Sequence, residues 1–108
     1  MRQVAVYRNG HLAGILTEES RRAYCFTYDD AYFHDPNQAA ISLTLPKSQQ
    51  TYRSTFLFPF FFNLLSEGVN RKLQSAQWRI DEDDDFGLLM ATAQYDTIGP
   101  ITIKPIAP

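Results

Sequence analysis

The sequence has one cysteine, few glycines and no long apolar run, and each shortage excludes a class of protein. Cys25 has no second cysteine to pair with, so an intramolecular disulfide is excluded and a reducing compartment is indicated. The five glycines are dispersed, which excludes a glycine-rich phosphate loop. The most apolar stretch, residues 55–65, is about half as long as a membrane-spanning helix. The N-terminus has no apolar segment of signal-peptide length. We therefore expect a cytoplasmic protein without a membrane partner.

Strongly basic surfaces are also missing. The ten Lys and Arg residues are scattered and the net charge is −2, so direct nucleic-acid binding is not expected. A length of 108 residues predicts one domain over residues 1–108, large enough to fold around its own core. Aromatic residues make up 14% of the chain, with eight Phe and six Tyr. Because aromatic side chains are enriched at interfaces as well as in cores, this excess is a first indication of a partner.

The apolar patterning predicts an α+β fold. Residues 3–8 and 11–17 alternate as strands around Asn9-Gly10, the strongest short signal for a hairpin. Residues 23–28, 41–45 and 99–106 also have strand patterns, and Pro46 ends the strand at 41–45. We expect a small antiparallel sheet, made of an N-terminal meander and a C-terminal strand, packed with two or three short helices.

The helices are predicted in the second half of the chain. Apolar residues four apart favour a helix within residues 55–65, with Pro59 in its first turn and Gly68 at its end. Residues 70–77 predict a second helix with Leu73 and Ala76 facing inward, and residues 86–93 predict a third. Residues 29–39 are expected to form a loop, and residues 47–54 to be polar and exposed.

Three groups of residues have the composition of catalytic or metal sites. The triplet Asp85-Phe86-Gly87 spells the kinase metal-binding motif, but the other kinase motifs are missing, so carboxylates at a helix N-terminus are the favoured interpretation. The cluster Asp29, Asp30, His34 and Asp35 matches no established metal spacing and is expected to be a solvated loop.

Cys25 is the third, with His11 or His34 as a base. Cys25 lies in an apolar strand, where cysteine usually behaves as a small buried hydrophobe rather than as a nucleophile. We therefore expect no catalytic residue, no metal and no cofactor, and predict that the chain is not an enzyme.

The aromatic block Phe56-Leu-Phe-Pro-Phe-Phe-Phe62 allows two interpretations. A helix that is apolar nearly all round can be a buried core element. Alternatively, one face of it, near Phe62, Asn63, Leu65 and Ser66, lies at a partner surface, because exposed apolar patches mark binding sites. Trp78 raises the same possibility, since tryptophan is a frequent interface anchor.

Several motifs along the chain resemble those of the HipA N-terminal domain. The segment Pro59-Phe-Phe-Phe-Asn-Leu-Leu-Ser-Glu-Gly68, followed by Asn70-Arg71, resembles the family's FF-x-NLLPEG-x-x-R signature. The opening hairpin, the Ile41-Ser-Leu-Thr-Leu-Pro46 segment, Asp85-Phe-Gly-Leu-Leu89 and Ile98-Gly-Pro-Ile-Thr-Ile103 are similar to further family motifs in the same order. The resemblance covers almost the whole chain and departs from the family at Ser66, where proline is usual.

In full-length HipA proteins a Ser/Thr kinase body follows this domain, so the resemblance implies no kinase activity for a chain ending at Pro108. A stand-alone copy resembles HipS, the antitoxin of HipBST systems, which binds and neutralises the kinase toxin HipT. HipB is the helix-turn-helix subunit of those systems. The resemblance therefore implies a HipT-like kinase as the partner and a HipB-like protein as an indirect one. The start at Met1 favours a complete chain over a piece of a longer HipA.

Three hypotheses follow for function. The leading one is an antitoxin that suppresses the kinase, with a charged rim of Arg53, Arg71 or Lys72 that is expected to steer docking. The second is an accessory subunit that bridges the kinase and its DNA-binding partner without inhibition, and the third is a small metal-dependent enzyme that uses the Asp29–Asp35 loop. The residues predicted to meet the kinase are Phe62, Asn63, Leu65, Ser66, Glu67, Arg71 and Trp78.

Overall fold

The computed structural model describes residues 1–65, 68–92 and 100–106, which form one antiparallel sheet and four short helices. The strands are β1 (Arg2–Arg8), β2 (His11–Ser20), β3 (Ala23–Tyr28), β4 (Thr51–Ser54) and β5 (Ile101–Ile106). The helices are α1 (Asp30–His34), α2 (Pro59–Phe62), α3 (Gly68–Trp78) and α4 (Asp85–Thr92). The predicted α+β class is confirmed. No helix in these described ranges is long and apolar enough to cross a membrane.

The sheet has the strand order β4-β3-β2-β1-β5, and all neighbours are antiparallel. The β1–β2 hairpin turns at Asn9 and Gly10, whose φ values of 51° and 81° are those that an Asn-Gly turn requires. The predicted meander is confirmed, and the C-terminal strand returns beside β1. Each strand therefore exposes one face of alternating side chains to the helices.

The core lies between the sheet and the helices. Val4, Val6 and Phe26 on the inner face of the sheet have no exposed surface, and neither do Phe61 of α2 and Phe86 of α4. Phe26 and Phe61 have ring centroids 5.7 Å apart, so α2 is packed against β3. Burial of large aromatic side chains supplies most of the apolar surface that a small domain needs.

The prediction of a loop over residues 29–39 is wrong in its first half, where α1 forms. Asp29 is the N-cap of α1, and its carboxylate accepts the backbone N–H of Tyr32 at 3.4 Å. Tyr32 is 3% exposed and gives this short helix its one buried anchor. An N-cap carboxylate and one apolar contact are weak sequence signals, because a five-residue helix has no periodicity to detect.

The predicted strand over residues 41–45 is also wrong. Ser42 accepts the backbone N–H of Leu45 at its carbonyl and that of Thr44 at its hydroxyl, which closes a turn. Ile41 and Leu45 are buried at the two ends of the turn, whereas Leu43 between them is fully exposed. A strand would place all three side chains on one face, and the hydrogen bonds of Ser42 favour the turn instead.

Residues 47–54 are not uniformly exposed, since their last four residues form the edge strand β4. Tyr52 pairs with Phe26 of β3, and Arg53 pairs with Cys25. This strand lies at the edge of the sheet, beside β3.

The aromatic block forms a much shorter helix than its periodicity predicts. Phe58 is extended at φ −55° and ψ 137°, and Pro59 begins α2, in the predicted first-turn position. Proline disfavours the helical conformation for the residue before it, so Phe56, Leu57 and Phe58 stay outside the helix. Asn63 is the C-cap, and the helix is one turn long.

Helix α3 differs from its prediction in two ways. Gly68 is the first residue of this helix rather than the end of the preceding one. Leu73 is 62% exposed and Ala76 is exposed, so the predicted inward face points to solvent. Arg71, Gln74 and Ser75 are the half-buried side chains instead, because α3 meets the rest of the molecule through polar contacts.

Helix α4 begins one residue before its prediction, and its predicted last residue, Ala93, lies outside the described residues. Phe86, Leu88 and Leu89 are buried. The acidic run precedes this helix, as the dipole argument requires. The described residues thus contain four helices where two or three were expected, because α1 forms in a segment that was expected to be a loop.

Candidate partner-binding surface

The outer side of α2 exposes apolar surface next to a buried inner side. Phe61 is 0% exposed and contacts Phe26, Phe58 and Phe60 with its ring. Phe62, the next residue, is 42% exposed. Because one turn of helix points consecutive residues in different directions, the same helix is anchored by one phenylalanine and presents another.

A groove opens beside Phe62 and has a volume of about 940 Å³. Phe56, which is 77% exposed, lies at the same groove. The remaining lining residues come from three distant parts of the chain: Arg21, Arg22, Tyr24, Thr55, Leu57, Asp83 and Asp85. We name this groove, with Phe56 and Phe62 as its apolar residues, the aromatic groove. It combines exposed aromatic rings with charges of both signs, the composition of a protein-binding surface.

The acidic residues of the aromatic groove lie in the loop before α4 and at the start of that helix, which an ion-pair network holds in place. Arg2 donates to the Asp84 carboxylate in two hydrogen bonds of 2.9 and 2.8 Å and to Glu18 in one of 2.8 Å. The hydrogen bond from Arg2 lowers the pKa of the Asp84 carboxyl below its ordinary value and raises that of the Arg2 guanidinium. Asp84 also accepts the backbone N–H of Gly87 at 3.0 Å, so it is the carboxylate that caps α4.

Tyr24 joins this network from β3. Its hydroxyl lies 3.4 Å from Glu18, and its ring is 6.4 Å from that of Phe86. Burial and the nearby Glu18 charge raise the pKa of Tyr24. Its hydroxyl therefore stays protonated at neutral pH and remains a hydrogen-bond donor in the wall of the groove.

Arg71 has a structural contact in this molecule. Its guanidinium donates to the backbone carbonyl of Glu82 at 3.0 and 2.8 Å and forms an ion pair with Asp85. Only 16% of its side chain is exposed. Arg71 thus connects α3 to the start of α4, which leaves little of it for the docking role expected from the sequence.

The other predicted contact residues fall into different surroundings. Asn63 is exposed beside Phe62, and Trp78 is 39% exposed at the end of α3. Leu65 is 9% exposed and packs in the core, so the structure does not present it to a partner. Ser66 and Glu67 lie outside the described residues. Phe62 and Asn63 are therefore the predicted residues that the structure brings together on an exposed surface.

The predicted charged rim is only partly present. Arg53 is 71% exposed and pairs with Glu19 at 2.9 Å, and Lys72 is exposed on α3. Neither lines the aromatic groove, whose cations are Arg21 and Arg22 of the β2–β3 turn. The sequence did not indicate Arg21 and Arg22 as groove residues, because they come next to the groove only through the pairing of β3 with the rest of the sheet.

The residues that resembled catalytic or metal sites have structural contacts. Asp29 caps α1, and Asp35 accepts the backbone N–H of Asn37 at 2.9 Å in an Asx turn. Among the described residues, no cluster of His, Cys, Asp and Glu has the arrangement to hold a metal ion. Cys25 is half-buried on the outer face of the sheet, 3.6 Å from the Thr27 hydroxyl, and not in the core as expected.

The geometry supports binding, and similarity to known proteins identifies the kind of domain. The profile of the HipA N-terminal domain matches residues 4–104. The chain belongs to the HipA N-terminal domain family. A solved structure described as the N-terminal domain of HipA toxin has a TM-score of 0.73 and 27% sequence identity, and the match covers 99% of this chain and 94% of that one.

Two relatives differ in how much of their length the match to this chain covers. An uncharacterized protein of Haemophilus influenzae (strain ATCC 51907 / DSM 11121 / KW20 / Rd) is 31% identical over 96% of this chain and 92% of its own length. The putative kinase Y4mE of Sinorhizobium fredii (strain NBRC 101917 / NGR234) is 28% identical over 82% of this chain, but the match spans only 21% of that protein. The HipA N-terminal domain is non-catalytic, and the 108 residues contain no kinase domain.

Proposed function

We propose that this chain is an antitoxin that binds a HipT-like Ser/Thr kinase toxin and suppresses its phosphoryl transfer in a complex of the HipBST type. The proposal rests on membership of the HipA N-terminal domain family, one relative of which is named a putative kinase. In this proposal a HipB-like helix-turn-helix protein is reached through the kinase, and the complex acts in the cytoplasm.

The observation that supports the proposal best is the exposed aromatic pair of the aromatic groove. Phe56 and Phe62 are 77% and 42% exposed, although the same segment buries Leu57, Phe58 and Phe61. The backbone that presents the pair is therefore fixed by the core. A rigid aromatic anchor loses little conformational entropy on binding, which favours affinity.

The charges around the groove favour a specific partner. Arg21, Arg22, Asp83 and Asp85 all line it. Opposite charges on the kinase would orient its approach and raise the association rate, while the aromatic pair would supply most of the affinity. We therefore assign contact roles to Phe56, Phe62 and Asn63, and propose that Ser66, Glu67 and Trp78 extend the same interface.

Suppression requires more than contact. The chain must bind an inactive arrangement of the kinase more tightly than the active one, since equal affinity for both would shift nothing. To hold the active fraction at about 1% of an initially active kinase, the free chain must exceed its dissociation constant by about a hundredfold. An antitoxin with a moderate affinity therefore has to be made in excess.

Co-expression tests the proposal directly. A HipT-like kinase encoded beside this chain is induced in bacteria with and without it, and growth and kinase autophosphorylation are followed. We expect the wild-type chain to restore growth, and the Phe56→Ala/Phe62→Ala variant to lose this effect. Leu73→Ala is the matched control, because Leu73 is exposed but does not line the groove. Growth arrest that persists despite a stable complex would refute the antitoxin role.

The putative kinase Y4mE favours a second candidate function, because the segment related to this chain occupies about a fifth of that relative's length. There the domain is one part of a larger kinase, so this chain is alternatively a non-inhibitory scaffold, or the N-terminal part of a longer HipA, that connects the kinase to a HipB-like protein. In that case the chain would bind the kinase but leave its phosphoryl transfer unchanged, which the autophosphorylation assay measures.

A further inference from the structure

One apolar side chain lies outside the aromatic groove and is completely exposed. Leu43 has 100% of its surface open to solvent, more than any other large apolar residue in the described part of the chain. It lies between Ile41 and Leu45, which are 7% and 3% exposed. Single exposed apolar residues are common on proteins and need no explanation when their segment is loose. The segment around Leu43 is not loose.

Hydrogen bonds from buried tyrosines fix both sides of the loop. The Tyr28 hydroxyl accepts the backbone N–H of Ile41 at 3.1 Å and donates to the carbonyl of Leu45. The Tyr32 hydroxyl donates to the carbonyl of Ala39. Burial raises the pKa of Tyr28 to about 12, so its hydroxyl stays protonated and keeps donating at neutral pH.

The tip and the exit of the loop are fixed as well. The Ser42 hydroxyl lies 2.9 Å from that of Thr44 and accepts the Thr44 N–H at 3.2 Å. Lys47 donates to the carbonyls of Asp35 and Gln38 at 2.7 and 2.8 Å, and its ammonium lies 5.2 Å from the Tyr32 ring centroid. Leu43 is therefore presented on a preorganised turn, and burying it in a partner would order little additional backbone.

The composition of the loop restricts what it can bind. Residues 39–46 contain no charged side chain, which disfavours a nucleic acid or another polyanion. A single leucine offers too little apolar area to hold a lipid surface without cationic support. Two copies meeting through this narrow turn would bury far less than the roughly 1,200 Å² typical of a stable interface. A larger protein with an uncharged concave site can surround the loop on several sides.

Building on the proposed function, we propose that Leu43 is a second anchor, which inserts into an uncharged apolar pocket on the kinase partner. Tyr24 and Tyr28 lie on the inner face near opposite ends of the six-residue strand β3, the first beside the aromatic groove and the second beneath the loop. At about 3.3 Å per residue these two tyrosines are roughly 13 Å apart, so the aromatic groove and the loop lie over neighbouring parts of one strand, where one large partner can reach both.

Titration of the purified kinase with the purified chain tests this anchor. Burying a leucine side chain is worth enough that Leu43→Ala should weaken binding about tenfold, and Leu43→Asp should weaken it further by placing a charge in the pocket. Leu73→Ala is the matched control and should bind like wild type. Thermal unfolding must match among all four proteins, which is expected because Leu43 has no buried surface.

The outcomes separate the anchor from the proposed function. Equal binding by wild type, Leu43→Ala and Leu43→Asp would overturn the Leu43 anchor while leaving kinase binding intact. No binding of the wild-type chain would overturn both. Sedimentation of the chain alone distinguishes a second copy as the occupant: dimerisation that Leu43→Asp abolishes would overturn the kinase pocket.

Discussion

Arg2 and Asp84, which are 82 positions apart in the sequence, are joined by two hydrogen bonds of 2.9 and 2.8 Å. The pair connects the first strand of the sheet to the acidic loop that precedes α4. The Arg2 guanidinium also lies 5.3 Å from the centroid of the buried Phe86 ring. The Arg2–Asp84 contact thus positions α4 and the loop before it, and this loop forms a wall of the aromatic groove.

We predict that Asp84→Ala destabilises the domain by about 1–2 kcal/mol, since it removes the cap of α4 and one partner of Arg2. The expected loss of stability is small because about a third of each side chain is exposed, so that solvent screens the Arg2–Asp84 ion pair. Urea unfolding measures the change. Asp83→Ala is the control, since Asp83 is exposed, and it should change the free energy of unfolding by less than about 0.5 kcal/mol.

The same carboxylate predicts a dependence of stability on pH. Because the folded state holds the pKa of Asp84 below its ordinary value, its contribution is present above the unfolded pKa, which is about 3.9, and is lost as pH falls through the folded pKa. The difference in unfolding free energy between wild type and Asp84→Asn should therefore shrink between pH 5 and pH 2.5. A difference that stays constant over this range would contradict the assignment.

We predict that glycine is required at position 87, because the Asp84 carboxylate lies too close to leave room for a side chain. A Cβ at this position would overlap the Asp84 carboxylate and approach Arg2 at 3.1 Å. Gly87→Ala should therefore lower the free energy of unfolding by about 1–3 kcal/mol, although alanine is intrinsically better in helices. In the Asp84→Ala background the same substitution should cost less, and a double-mutant cycle measures that coupling. Additive effects would show that the overlap is not the cause.

The local features of this fold could be predicted from the sequence, and the features set by distant contacts could not. Asn9-Gly10 predicts its hairpin because both residues favour the backbone angles of the turn. Ile41, Leu43 and Leu45 alternate like a strand, yet the segment forms a turn that is closed by Ser42 and also held by the Tyr28 hydroxyl, a distant contact that no local pattern reveals.

The candidate site shows the same division. Phe62 could be selected because it belongs to an apolar block too large for a small core. The direction of Leu65 could not be predicted, since it depends on where the single turn of α2 ends. Arg21 and Asp83 come together only through the tertiary structure, so no spacing in the sequence connects them.

Two adjacent phenylalanines should separate stability from binding. Phe61→Ala is predicted to lower the free energy of unfolding by about 3–5 kcal/mol, because the side chain is fully buried. Phe62→Ala should lower it by less than about 1 kcal/mol and yet weaken binding to the kinase. Urea unfolding and kinase titration of both variants provide the comparison. A large stability loss in Phe62→Ala would mean that its ring is a core residue rather than a contact residue.

Tyr28→Phe is predicted to destabilise the domain by about 1–3 kcal/mol without changing its apolar packing. The substitution leaves the backbone N–H of Ile41 and the carbonyl of Leu45 without their partner in a buried place, and an unsatisfied buried polar group carries a cost of this size. Tyr52→Phe is the matched control, because its hydroxyl donates to the Pro46 carbonyl at the surface, where water can replace it. Denaturant midpoints measure both losses of stability, and the loss should be larger for Tyr28→Phe than for Tyr52→Phe. Equal losses would mean that the Leu43 loop is held by its apolar ends alone and not by the tyrosine hydroxyl beneath it.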